Sequence, residues 1–349
     1  MKNKNKRQMT RRDFMSTGGA LALAFSPGLT GGRKALAHTA RGATNSPSAA
    51  AAGTKSRVVL VQTSDRAEGV KRCLEILKVD PARGKSVLIK PNFNTSDETP
   101  GSTHVDTLKA ILGWAREHGA KSLAIGDRSG PEPTEEVLNK KKIPDLAALF
   151  DARIINFDDL GPDGYVKVSV PGSHWKDGFL QARPVVETGC VISTCCLKTH
   201  QFGGVFTMSL KNSVGTVPRK GYGYMRELHS SPDQRKMIAE INYGYKPALI
   251  ILDGLEAFVD GGPMTGPRKT ASVFLAGTDR VAMDAVGLAI LKDLGSNEAI
   301  MKTPIFAQEQ ISRAAELGLG AGSAADIVIE TGDKASASYA DKLRKILYT

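Results

Sequence analysis

The sequence predicts an α/β fold, a mostly parallel or mixed sheet flanked by helices, with a small β-rich insertion. Three observations lead to it. Apolar runs of strand length alternate with helical patterns along the chain, the mark of β-α-β units. Hydrophobic residues make up 41% and charged residues 24% of the 349, enough to bury a sizeable core. Between residues 57 and 331 there is neither an internal repeat nor a break in composition, so one α/β domain is the economical reading. In order, strand patterns fall at Val58 to Val61, Val87 to Ile89, Leu123 to Ile125 and Arg153 to Asn156. Helical patterns from Ala67 to Leu77, Val105 to His118 and Thr134 to Leu149 lie between them. Tyr165 to Val170 alternates in a more antiparallel manner and belongs to the insertion, near 160 to 185. Further strands are expected at Cys190 to Ser193, Ala248 to Leu252, Val273 to Ala276 and Ile327 to Glu330. Helices are expected at Asp233 to Tyr243, Arg280 to Leu291 and Phe306 to Leu317, with residues 332 to 349 a helical C-terminal tail.

Residues 1 to 37 have the parts of an export signal: a basic start (Lys2, Lys4, Lys6, Arg7), a moderately apolar stretch from Gly18 to Leu29, and Ala35-Leu36-Ala37 before a cleavage point. Within them Thr10-Arg11-Arg12-Asp13-Phe14-Met15 resembles the twin-arginine motif. A membrane anchor is the competing reading, but Pro27 and Gly28 stop the apolar run well short of the roughly 20 residues a spanning helix needs. Residues 38 to 56, rich in Ala, Gly, Ser and Thr, read as a flexible linker. The expectation is a chain exported by the twin-arginine machinery, periplasmic or otherwise outside the cytoplasm, soluble after cleavage and with no membrane span.

The formal net charge of +11 would suggest a polyanionic partner, but eight Lys or Arg and one acid belong to the leader. The remainder carries 39 basic against 35 acidic residues, so no nucleic-acid partner is expected. Cys73, Cys190, Cys195 and Cys196 make no C-x-x-C pair and read as small buried hydrophobes, so an iron–sulfur cluster is not expected. Twin-arginine substrates usually cross the membrane already folded, often with a cofactor loaded. The sequence leaves its identity unknown, a metal ion included.

Function is carried by the polar groups at strand ends. Lys90-Pro91-Asn92 follows the second strand, Asp127 the third, Lys198-Thr199-His200 the strand that starts at Cys190, and Asp253 the one that starts at Ala248. In an open α/β sheet the ligand crevice lies outside the carboxyl ends of the strands, so one site would gather all four groups. Single charges of this kind often merely solvate a strand end; four together argue for a shared site. Pro91 holds Lys90 extended and aims its ammonium forward. Thr103-His104 opens a helix, where capping and a site role for His104 are compatible. The segment Lys198 to Asn212 joins two lysines and a histidine to a Gly203-Gly204 loop and a helix start at Thr207. Lys198 and Lys211 would neutralise an anion, and His200 would titrate near neutral pH. The segment is not a P-loop. His229 is a further candidate acid, base or ligand, with plain surface placement the equal alternative. Asp284, in an apolar helix, needs a partner.

At these residues the chain resembles the family catalogued as domain of unknown function 362. The resemblance rests on Lys90-Pro91-Asn92, Thr103-His104, Gly126-Asp127, Lys198-Thr199-His200, Ser209-Leu210-Lys211-Asn212 with Gly215, His229, Asp253-Gly254, Gly262-Pro263 with Gly266, and Asp279 to Asp284, in order over about residues 86 to 331. Some members of that family are fused to ferredoxin-like modules, whose cysteine pattern this chain lacks. The resemblance strengthens the site and implies no reaction. The expected function is binding of an anionic small molecule by Lys90, Asn92, Lys198, Thr199, Lys211, Asn212, Asp253 and Asp284, with His200, His104 and Asp127 moving protons. His200, His229, Asp127 and Asp253 are the metal-ligand candidates. A non-catalytic periplasmic binding protein and an accessory iron–sulfur or redox protein are the alternatives.

Overall fold

The computed structural model describes residues 55–349, so the export signal and nearly all of the expected linker lie outside the described residues. In chain order the strands are β1 (Ser56–Gln62), β2 (Ser86–Lys90), β3 (Ser122–Asp127), β4 (Ala152–Asn156), β5 (Tyr165–Val168), β6 (Phe179–Ala182), β7 (Cys190–His200), β8 (Val205–Thr207), β9 (Leu249–Phe258), β10 (Arg268–Gly277) and β11 (Ile327–Glu330). Nine of them make one mixed sheet in the order β11-β1-β10-β9-β7-β2-β3-β4, with β8 paired to β7. Strands β9, β7, β2, β3 and β4 pair in parallel, and β10 is antiparallel to both neighbours. β5 and β6 form the antiparallel insertion.

Helices cover both faces, as a sheet with a parallel half requires. The period of two sends Val59 and Val61 to one face and Val58 and Leu60 to the other. The first face packs on helices Arg66–Leu77 and Val105–Glu117, the second on Arg280–Asp293, Glu309–Glu316 and Lys334–Ile346. Asp65 and Asp279 cap two of these helices through their carboxylates. The last helix is part of the core and not a tail, because Ala340 and Leu343 are fully buried in it. Among the described residues no helix is long and apolar enough to cross a membrane.

Three elements differ from expectation. β7 continues to His200, so Lys198-Thr199-His200 is strand and not loop; polar side chains inside it are held by partners from distant loops. Thr207 ends β8 instead of starting a helix, and the helix there is Ser209–Asn212. β9 runs on to Phe258, which leaves Asp253 in mid-strand.

This topology fixes where a ligand would sit. From β2 the chain steps outward through β3 and β4, then returns to the other side of β2 and steps away through β7, β9 and β10. The order reverses between β2 and β7. Connections leave in opposite directions there, opening a crevice at the strands' carboxyl ends.

Candidate functional site at the switch point

β2 ends on Lys90, whose side chain is 1% exposed. Its ammonium meets Asp127 Oδ1 at 2.6 Å, Pro91 O at 2.7 Å and Asn212 Oδ1 at 3.1 Å, three acceptors for three protons. Asp127, the last residue of β3, also accepts from Arg128 N at 2.7 Å and Phe93 N at 2.8 Å. Burial raises its carboxyl above the ordinary range, opposed by the Lys90 ammonium and those two N–H donors. Asn212 donates to Ser193 Oγ at 3.0 Å and Thr194 O at 3.3 Å, stitching β2 to β7 where the order reverses.

The opposite wall comes from β7, β8 and the turn after them. Asp284, buried in helix Arg280–Asp293, accepts from Ser209 N at 2.7 Å and Leu210 N at 2.9 Å, and burial pushes its carboxyl up to about 7. That clamp sets the turn from which Lys211 and Asn212 project. Lys211 is buried, and among the described residues its ammonium has neither a hydrogen-bond acceptor nor an ion-pair partner. Burial, then the charges of Lys198 and Arg128, bring it down to about 7. His200 ends β7 with its ring edge-on to Phe202, and its Nδ1 has no hydrogen-bond partner. Burial, then Lys211 and His229, keep this imidazole neutral with a pKa well below the ordinary value. Gly204 allows the close approach: a Cβ there would lie 2.7 Å from Lys211 Cε and 2.9 Å from His200 Nδ1.

Between these walls lies a cleft of about 400 Å³, counting its open mouth. Of the expected residues it gathers Lys90, Asn92, Asp127, His200, Lys211 and Asn212. It adds Asn94, Arg128 and Thr207, lining residues that sequence reasoning did not assign. Asn92 Oδ1, Asn94 Nδ2 and Thr207 Oγ1, like His200 Nδ1, are buried without a hydrogen-bond partner. Arg128 is spoken for: its guanidinium donates to the carbonyls of Val214 at 2.5 Å, Val217 at 2.9 Å and Ser129 at 3.1 Å. Burial lowers its pKa to about 10. The sequence signal for it was adjacency to Asp127.

Other expected residues are placed elsewhere. Lys198 is fully buried, but its ammonium turns to Gly101 O at 2.5 Å and Pro263 O at 3.2 Å; burial lowers it to about 8. Thr199 bonds Gly261 O at 3.3 Å. Asp253 binds Arg66 at 2.9 Å and Thr107 at 2.7 Å, tying two helices to β9. His104 caps helix Val105–Glu117, its Nδ1 accepting from Asp106 N at 3.1 Å. Burial, then Arg66, lowers its pKa. His229 is buried in helix Tyr224–Ser230 and adds its charge to the field at His200. The picture of three ammonium groups converging on one anion is therefore corrected: Lys90 and Lys198 donate to the protein, and among the described residues Lys211 alone of the three has no acceptor.

Among the described residues no three His, Cys, Asp or Glu side chains gather to hold a metal ion; Asp127 and Asp253 are engaged by cations and backbone amides. The cysteines are free and buried. Cys195 and Cys196, adjacent in β7, point to opposite faces. Burial lifts the Cys196 and Cys190 thiols to about 11.

The fold and the cleft define a class: a mixed-sheet α/β protein with a polar, incompletely paired pocket at the switch point. Within that class, the chain belongs to the family described as domain of unknown function (DUF362), whose model matches residues 87–289. It is similar to the thylakoid-associated protein sll1697 of Synechocystis sp., 29% identical over 215 residues, covering 60% of this chain and 64% of that protein. Among solved structures it is similar to the lactate racemase apoprotein from Thermoanaerobacterium thermosaccharolyticum, at 12% identity and a TM-score of 0.40, covering 83% of this chain and 86% of that one.

Proposed function

We propose that the mature chain, exported through the twin-arginine route, takes a small anionic molecule into this cleft and acts on it by proton transfer. The observation that carries the reading is Lys211. Burying a cation without a partner is unfavourable by several kcal/mol, so a fold that does so is complementary to something it does not itself contain. An anion beside Lys211 offsets that cost. The unpartnered Asn94 amide and Thr207 hydroxyl are donors for its oxygens. His200, neutral and with Nδ1 free, is placed to accept a proton from the bound molecule.

Thermal melts with inorganic phosphate and a series of small carboxylates test this. At least one class of anion is expected to raise the melting temperature of the native chain, with the response lost in Lys211→Met. His200→Gln is expected to keep the thermal response and lose any exchange of ligand protons with solvent seen by NMR. An equal response from Lys211→Met, or none from the native chain, overturns the reading. Proton exchange that survives in His200→Gln leaves a binding protein without this catalytic group.

A further inference from the structure

Resting on the reading of the cleft as an anion site, we propose that Lys211 is a nucleophile that forms a Schiff base with a 2-oxo acid. The three buried lysines near the switch point separate cleanly by their partners. Lys90 donates to a carboxylate at 2.6 Å and Lys198 to two carbonyls within 3.2 Å, so the nitrogens of both are engaged by the protein. Lys211 has no acceptor among the described residues and borders an open cleft. A lysine desolvated beside other cations is the arrangement that frees an amine for attack on a carbonyl. Here the neighbouring charges are those of Lys198 and Arg128, and the amine is half deprotonated near neutrality.

The substrate class follows from charge and from the loose ends around the amine. The Lys211 nitrogen adds to the ketone carbon, a C–N bond forms, and the carbonyl pair moves to oxygen, which takes up a proton. The nitrogen loses one proton to water or to His200; its remaining lone pair then forms the C=N bond as the C–OH oxygen, protonated again, leaves as water. The sum is amine plus ketone plus one proton giving a protonated imine plus water. Thr207 Oγ1 and His200 Nδ1 line the same cleft without partners and suit these transfers. A protonated imine is again a buried cation, and among the described residues the carboxylate that lines the cleft, Asp127, is already paired with Lys90. A 2-oxo acid brings its own, one bond from the reacting carbon; a simple ketone does not.

Borohydride trapping decides the matter on the full folded chain. Incubation with pyruvate or glyoxylate followed by reduction is expected to add one adduct per chain, with the mass of the acid less one oxygen, and peptide mapping is expected to place it on Lys211. Acetone, which lacks the carboxylate, is expected to label far less, and propionate, which lacks the ketone, not at all. In Lys211→Arg the adduct is expected to vanish. Because the site is read from the native chain, the outcome does not depend on how any variant folds. Adducts scattered over surface lysines, or none on Lys211, overturn the proposal. If propionate still raises the melting temperature in that case, the Schiff base alone fails; if it does not, the anion reading fails with it.

Discussion

Lys90 and Lys211 border one cleft, yet Lys90 has three acceptors within 3.1 Å and Lys211 has none among the described residues. Both side chains are buried, so exposure does not distinguish them. What distinguishes them is whether the fold supplies the counter-charge. Lys90 closes a network that ties β2, β3 and the Asn212 turn together, and it belongs to the architecture. Lys211 is held in place by the Asp284 clamp on its turn but left unpaired at its tip, and the geometry is complete only with a guest.

The comparison breaks most visibly at Lys90. Lys90→Ala leaves Asp127 buried with its two backbone donors and no cation, and the expected loss is about 3–5 kcal/mol of unfolding free energy. Urea unfolding of Lys90→Ala, Asp127→Ala and the double variant checks it. The double variant is expected to lose less than the sum of the singles, since each single strands the other's charge. Additive losses would mean the pair is not one unit.

The satisfied half of the site was legible in the sequence and the unsatisfied half only partly. Lys90 and Asp127 each follow a short apolar run that marks a parallel strand, and strand ends at a switch point meet by topology alone. The length of β7 was not legible, because Thr194 and Lys198-Thr199-His200 interrupt any apolar pattern. Their burial is stabilised by Gly101, Pro263 and Gly261, carbonyls 62 to 97 residues away that no local pattern announces. The same distance hid the roles of Asp253, joined to Arg66 and Thr107, and of Asp284, joined to the Ser209 turn. The structure buries all three lysines, and only partner by partner does it become plain which one is spare.

A gentler probe of the satisfied wall is Gly215, in the turn Ser213–Thr216. A Cβ there would lie 2.7 Å from Asp127 Oδ1, 2.9 Å from Lys90 Nζ and 3.1 Å from Arg128 O. Two of those atoms belong to a pinned ion pair and the third to the backbone, so none yields readily. Gly215→Ala is expected to lose about 1–3 kcal/mol by urea unfolding, a packing cost. Gly161→Ala, where a Cβ would meet nothing within 4 Å, is expected to change stability by no more than about 0.5 kcal/mol. Equal effects at the two glycines would mean the wall around Asp127 gives way.

At Lys211 the effect on stability is expected to have the opposite sign, and its pH dependence sharpens the contrast with Lys90. The Lys211 amine titrates at about 7 in the folded chain against 10.5 ordinarily. Below pH 7 it is charged in both folded and unfolded states, and the full cost of burying it is present. Between 7 and 10.5 the unfolded chain holds a proton that the folded chain has released, so stability rises with pH; above 10.5 the two states are alike again. Lys211→Met removes this amine; Lys198, lowered to about 8, remains in both proteins and enters their difference only through its repulsion with Lys211. Lys211→Met is therefore expected to match or exceed the native chain in stability below pH 7, with the gap closing as pH rises. Urea midpoints for both proteins from about pH 6 to about pH 10 measure it. A gap that stays constant across that range would mean that Lys211 keeps its proton when folded, and the spare cation would have to be paired after all.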